Sequence, residues 1–191
     1  MLKNMGIDFL SLPEESFDAP LGFSTGAADI FGVTGGVMEA ALRFAVAELD
    51  PKGAGKLDLS ALRANSTVKE AELNVAGKTV RVAVVSGLKN ARKLLDDIKA
   101  GKNKYDFIEV MSCQGGCVAG AGQPQFEGWQ ARKNRAKGLY DDDAKMAYKS
   151  QDNKDVMALY GTIFDKVGGH KAHELLHTHY TDHKDKTGQE K

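Results

Sequence analysis

Thr79-Val80-Arg81-Val82-Ala83-Val84-Val85-Ser86 is a run of β-branched and small apolar residues of strand length. A helical pattern follows over 88–100, with Ala91, Leu94, Leu95 and Ile98 on one face and Gly101 as the stop. Tyr105-Asp106-Phe107-Ile108-Glu109-Val110-Met111 is a second apolar run of strand length. Strand, helix and strand in that order predict a βαβ unit over 79–111 with two parallel strands. The fold class is therefore α/β, a parallel sheet flanked by helices. Ligands of such sheets gather at the carboxyl ends of the strands.

Upstream, Thr34-Gly35-Gly36 opens a strong amphipathic pattern. Val37, Met38, Ala41, Leu42, Ala45, Val46 and Leu49 recur at helical spacing up to the Asp50-Pro51 stop. Between this helix and the βαβ unit lies a polar Gly/Lys loop. A second helix or a strand pair then covers roughly 66–77, where Asn74 and Gly77 point to a turn. The opening residues Met1 to Phe9 read like the end of a helix running into an extended segment. Downstream, 125–150 is polar and helical, with Arg132, Lys133, Arg135 and Lys137 on one side and Asp141, Asp142 and Asp143 soon after. That pattern reads as a solvated surface with local ion pairs. A further helix fits 154–167, where Val156, Tyr160, Ile163, Phe164 and Val167 line a face before Gly168-Gly169. The tail is His-rich and then charged.

Composition narrows the function classes. A length of 191 residues is that of one ordinary domain. Lys plus Arg and Asp plus Glu each number 26, so no cationic excess exists to hold a phosphate backbone, and nucleic acid is not expected as a partner. No run of about 18 apolar residues and no secretory signal pattern occurs, so no membrane partner and a cytoplasmic location are expected.

The two cysteines, Cys113 and Cys117, stand in the stretch Met111-Ser112-Cys113-Gln114-Gly115-Gly116-Cys117-Val118-Ala119-Gly120-Ala121-Gly122-Gln123-Pro124, directly after the second predicted strand. Its glycines leave backbone amides unshielded, able to face an anionic cluster and to adopt unusual dihedral angles. Three intervening residues exclude a redox Cys-x-x-Cys pair, and two cysteines do not make a disulfide framework. Thiolates bind iron and zinc, but a closed site needs about four ligands, and two cysteines do not complete one. The alternative is that both thiols are small buried hydrophobes beside a tight loop.

This string resembles the third cluster-binding signature of the iron-only (FeFe) hydrogenases, in which Met, a small residue, Cys, Pro, two Gly and Cys precede a glycine-rich tract ending in Gln-Pro. Ile30-Phe31-Gly32-Val33-Thr34-Gly35-Gly36-Val37-Met38-Glu39-Ala40-Ala41-Leu42-Arg43 resembles the family's segment between the second and third signatures. Gly169-His170-Lys171-Ala172-His173-Glu174-Leu175-Leu176-His177-Thr178-His179-Tyr180 resembles the family's tail, where a small-subunit sequence is fused on. The resemblance implies half of a two-lobed hydrogenase catalytic domain over 1–130 and a helical small-subunit-like extension over 131–191. It implies that Cys113 ligates a 4Fe-4S cubane and that Cys117 bridges it to a di-iron subcluster, the two together forming the H-cluster. Met111, Phe31 and Gly32 would line the di-iron pocket, with Val37 near a gas path. Dihydrogen and protons are the implied reactants, with a ferredoxin-like carrier taking or giving electrons.

The sequence departs from the family pattern in three respects. Gln114 stands where Pro is usual, and Ala119 and Ala121 fall in a tract often richer in Gly. The family's first two signatures, with the other two cysteines, the proton-transfer cysteine and a cyanide-binding lysine, have no counterpart. A complementary N-terminal half or subunit is therefore expected as a partner, and the isolated chain is expected not to turn over hydrogen. Hydrogenase-like iron–sulfur assembly or carrier proteins share a similar cysteine motif and form the alternative function. A folded remnant without metal is a third reading.

His173-Glu174-Leu175-Leu176-His177 also matches the zinc-protease pattern H-E-x-x-H, with His183 where the extended form places its third histidine. The extended motif needs Gly three residues after the second His, and Tyr180 stands there, for which a positive φ is costly. Only eight residues follow His183, too few for a Met-containing turn beneath the metal, and the only later Glu is Glu190. Structural histidines, or adventitious metal binding on the His-rich tail, are the plainer readings.

Overall fold

A run buried on both faces needs packing above and below the sheet, and Val82, Ala83, Val84 and Val85 are each 0% exposed. In the computed structural model, which describes residues 1–18, 21, 23–52, 57–124 and 128–180, they form the middle of the central strand. The sheet has three strands in the order β1 (Val68–Val75), β2 (Lys78–Ser86), β3 (Phe107–Met111). β2 and β3 are parallel, as the βαβ pattern predicts, with Val84 opposite Glu109 and Ser86 opposite Met111. β1 adds an antiparallel edge, so the sheet is mixed. The 66–77 segment is thus no helix: it holds β1 and, at its end, the expected turn between strands, with the second strand of the pair beginning just beyond it. Its turn lies at Ala76-Gly77, where both residues have positive φ, 50° and 79°, the pattern of a two-residue hairpin of the primed kind. The Asn74 side chain accepts from the Gly77 amide at 3.0 Å and closes the turn.

The helices are numbered in chain order: α1 (Gly26–Asp29), α2 (Gly36–Leu49), α3 (Leu88–Lys99), α4 (Gly128–Asp143), α5 (Lys154–Thr162) and α6 (His170–Leu176). α2 lays Met38, Leu42 and Val46 over Leu73 and Val75 of β1 and Val82 and Val84 of β2, with Leu59 and Leu62 closing the side. This is the main core. α3 is the crossover between the parallel strands; it buries Ala91 and Leu94 and contacts both of them. The face left by α2, bearing Ala83 and Val85, falls to it.

α4 is shorter than the helical stretch expected over 125–150, whose first three residues lie outside the described set. The chain turns through Lys145 and Met146 instead of continuing the helix. α5 starts where Asn153 accepts from the amides of Asp155 and Val156, and stops at Thr162, short of the expected 167. Asp165 then adopts a left-handed conformation at φ 71°, which no continuing helix allows. The first residues form a 3-10 turn at Leu2–Met5, ended by Gly6 at φ 70°, without a buried side chain. Beyond that turn, Phe17 and Phe23 are 100% and 93% exposed. Among the described residues no helix is long and apolar enough to cross a membrane.

Candidate metal centre

Cys113 and Cys117 stand on the loop that leaves the carboxyl end of β3, and both are exposed. Their exposure argues against two buried thiols filling a core. Between them, Gly115 and Gly116 have φ of 88° and 91°. Gly116 closes a turn by donating its amide to the Cys113 carbonyl at 3.1 Å. Ala119 and Gly120 likewise donate to Gly116 and Cys117, each at 3.0 Å. A Cβ on Gly116 would lie 2.8 Å from the Gly32 carbonyl oxygen and 2.8 Å from the Thr34 nitrogen, closer than real Cβ contacts come. The loop is therefore pressed against the 32–34 turn, and glycine is what permits it. A Cβ on Gly120 would stand 3.8 Å from the Cys113 sulfur, so that flank of the thiol carries backbone alone.

Two further contacts hold the loop. The Thr34 amide donates to the Gly115 carbonyl at 3.3 Å, and the Thr34 hydroxyl points at the Met111 sulfur at 3.7 Å. From the other side Val118 packs with Ile30 and Val33 against Ala136, Leu139 and Tyr140 of α4. Arg135 of the same helix donates to the Val118 carbonyl at 3.1 Å and to the Pro124 carbonyl at 2.9 Å. The loop is thus gripped by two segments far away in sequence.

Of the residues singled out from sequence, Met111, Gly32, Cys113 and Cys117 come together around this loop. Phe31 adjoins Gly32 and is 48% exposed. His173 and His177 stack their rings 4.3 Å apart, with His179 at 6.2 Å from His173. His183 and Glu190 fall outside the described residues. Among the described residues no group of three or more His, Cys, Asp or Glu is placed to hold a metal ion. The two thiols are thus exposed on the loop without a third such side chain grouped with them among the described residues.

Sequence reasoning missed a set of buried charges around the site. Glu109 of β3 accepts from the amides of Gly35 and Met38, both at 2.7 Å, and so caps α2 from a neighbouring strand. Lys69 of β1 donates to the carbonyls of Thr34 and Leu62 at 2.5 and 2.8 Å. Burial pushes the Lys69 ammonium below the usual lysine range, against the pull of Glu109 and Glu39. Arg43 of α2 bonds Glu39 at 2.5 Å and both carboxylate oxygens of Asp143 at 2.6 Å, while Arg63 bonds Glu39 at 2.6 Å. Burial disfavours the Arg43 charge, but its bonds to Asp143 and Glu39 outweigh that and raise its pKa. Glu39 and Arg43 stand four apart on an otherwise apolar stripe, a signal that was readable. The choice of Asp143 as their partner was not.

The fold and the loop define an α/β lobe that presents two exposed cysteines on a glycine loop at the end of a parallel strand. The comparisons narrow that description: residues 1–121 match the family model of the iron-only hydrogenase large subunit, C-terminal domain, and residues 130–183 match that of the iron hydrogenase small subunit. The chain belongs to the iron-only hydrogenase family, an oxidoreductase family whose cofactors are iron–sulfur centres. It is 46% identical over 182 residues to the NADP-reducing hydrogenase subunit HndD of Solidesulfovibrio fructosivorans, covering 94% of this chain and 31% of that one. It is 53% identical over 128 residues to the periplasmic Fe hydrogenase large subunit of Nitratidesulfovibrio vulgaris, covering 67% of this chain and 30% of that one. The structure superposes on the FeFe hydrogenase HydA1 from Chlamydomonas reinhardtii with a TM-score of 0.69 at 38% identity, over 94% of this chain and 52% of that one. The chain thus spans about a third of the curated relatives and about half of the solved one. It also shares 30% identity over 188 residues with Protein NAR1 of Arabidopsis thaliana, 40% of whose length is covered.

Proposed function

We propose that Cys113 and Cys117 supply two thiolates to a hydrogenase H-cluster, a 4Fe-4S cluster linked to a di-iron subcluster, whose remaining cysteine ligands come from polypeptide outside these 191 residues. The observation that carries this reading is the pair of exposed thiols on a loop fixed from both sides, with a donor set that is chemically right and half complete. When bound, the cluster supplies the redox chemistry that interconverts dihydrogen with protons and electrons, which pass to or from a ferredoxin-like carrier. This chain's residues have positioning work. Cys113 and Cys117 would hold iron, the loop amides would be available to hydrogen-bond sulfide, and Met111, oriented by the Thr34 hydroxyl, would lend an apolar wall with Gly32 and the half-exposed Phe31. The exposed rings of Phe17 and Phe23 and the half-exposed Phe107 offer apolar surface to a complementary lobe.

The test is iron per chain and hydrogen uptake, measured on protein from its native source with any co-purifying polypeptide. Roughly six irons with uptake activity, both lost in Cys113→Ser, are expected. Iron-free protein that stays so in the presence of its partners overturns the reading. The similarity to Protein NAR1 favours a second reading, a hydrogenase-like iron–sulfur assembly or carrier protein, which the same preparation separates. A carrier binds iron, passes it to an apo-protein acceptor and shows no uptake. The intact Met111 and Thr34-Gly35-Gly36-Val37 segment supports the hydrogenase reading.

A further inference from the structure

Lys69, Val84 and Glu109 stand in one row across the three strands, for Lys69 pairs with Val84 and Val84 with Glu109. The two charges are therefore two strands apart, roughly 9–10 Å by strand spacing, and both side chains rise on the face that carries α2. Both are 8% exposed, and lysine and glutamate are seldom buried without a partner. Here both reach backbone of the same short segment: the ammonium donates to the carbonyl of Thr34, as well as to that of Leu62, and the carboxylate accepts from the amides of Gly35 and Met38. Positive charge meets carbonyl and negative charge meets amide, so the 34–38 turn is held at both polarities from one row of the sheet. Thr34 is also the residue that donates to Gly115 and points at Met111.

We infer that Lys69 and Glu109 are positioning residues for the cysteine loop, acting as a pincer on the 34–38 turn that sets the height of Thr34 against Gly115 and Met111. The functional weight of this inference rests on the reading that Cys113 and Cys117 are iron ligands; the mechanical part does not. Lys69 bonds neither cysteine; of its two carbonyl partners, Thr34 and Leu62, the Thr34 peptide is the one that leads to the loop. Loss of either arm lets Thr34 drift, and the loop amides that turn on Gly116 lose their fixed frame.

The test uses the full iron-free chain, so that it stands apart from cluster binding. Amide hydrogen exchange is followed by NMR at Thr34, Gly116, Ala119 and Gly120 in Lys69→Met, Glu109→Gln and a control, Leu73→Ala, which weakens the same core without touching the turn. The expected result is exchange at those four amides faster by about ten-fold or more in the pincer variants, the factor that follows from losing about 1.4 kcal/mol of local stability. Amides of β2 and α3 should change no more than in the control, and Lys69→Arg should restore protection, because a guanidinium still donates to Thr34. Unchanged loop exchange, or acceleration spread evenly through the chain as in Leu73→Ala, overturns the inference. Should Lys69→Met fail to fold, the isosteric Glu109→Gln gives the same readout. Protection lost as expected in a chain that never takes up iron would sink the hydrogenase reading and leave the pincer standing.

Discussion

Gly116 holds φ 91° and ψ −167°, a conformation that L side chains rarely adopt, and it holds it at the point where the cysteine loop meets the 32–34 turn. Gly116→Ala would add both backbone strain and a Cβ 2.8 Å from the Gly32 carbonyl oxygen, with backbone rather than a flexible side chain as the obstacle. A loss of about 2–4 kcal/mol is expected in urea denaturation, with the loop displaced even where the chain still folds. Lys69 makes a different prediction, one that depends on pH. Its native pKa lies below the ordinary lysine value because of burial, so between the two values the unfolded chain binds more protons than the folded one. Stability contributed at this site therefore rises with pH across that window, and the penalty for burying the charge is fully present below the folded pKa. Wild type should gain stability relative to Lys69→Met as pH rises towards the ordinary lysine value, since a neutral amine still donates to Thr34 and Leu62. A difference that stays flat, or runs the other way, would show that the ammonium is not desolvated.

At the scale of elements, the hairpin joining β1 and β2 contains a residue that fits its turn poorly. Ala76 sits at φ 50° ahead of Gly77, in a turn whose first position favours Asn. Ala76→Asn is expected to raise stability by about 0.5–1 kcal/mol, read as a higher denaturant midpoint with an unchanged slope, because the left-handed cost falls while the Asn74 contact to Gly77 remains. This turn also marks where sequence reading reached its limit. The run 79–86 and its crossover were legible because burial on both faces leaves an unbroken apolar string. The segment 66–77 was ambiguous because β1 is an edge strand: Lys69, Glu70, Glu72 and Asn74 interrupt the apolar pattern, and Lys69 is itself a buried residue in polar dress. The cysteine loop was legible as a motif, yet its grip on Thr34 and Arg135 was not, since those contacts span 81 and 17 residues and depend on how α2 and α4 dock. Glu109 reads in sequence as an ordinary strand carboxylate. Only the strand register brings it beneath the first turn of α2.

For the whole molecule, the question is what joins the segment matching the large subunit to the segment matching the small one. Contacts that cross that boundary include the small apolar cluster around Val118, hydrogen bonds from Arg135 to the Val118 carbonyl, from Asn153 to the Leu21 carbonyl and from the Gly26 amide to the Ala147 carbonyl, and the buried charges in which Asp143 meets Arg43. The charges are the stronger determinant of geometry. Arg43 is fully buried, its two terminal nitrogens are taken up by Glu39, Asp143 and the Tyr148 carbonyl, and its guanidinium lies 4.0 Å from the Tyr148 ring centre. Gly26 packs so closely on Asp143 that a Cβ would come within 2.3 Å of its carboxylate, so α1 closes over the pair and keeps water out. Replacing such a network wholesale by apolar residues can be neutral, but removing one partner leaves a charge buried and uncompensated. Asp143→Ala is therefore expected to cost about 3–5 kcal/mol and to release α4–α6 from the lobe. Limited proteolysis between 121 and 130 should accelerate, and the fluorescence of Trp129 should report a transition before the sheet unfolds. Lys137→Ala is the matched control on the same helix. Its ion pair with Asp141 is as short, at 2.5 Å, but the lysine is 71% exposed, so the change should stay within about 0.5 kcal/mol and leave the cleavage rate alone. If Asp143→Ala instead unfolds in one transition with wild-type proteolysis, the apolar cluster around Val118 and the remaining hydrogen bonds suffice to join the two segments, and α4 holds the cysteine loop through Arg135 without help from the buried charges.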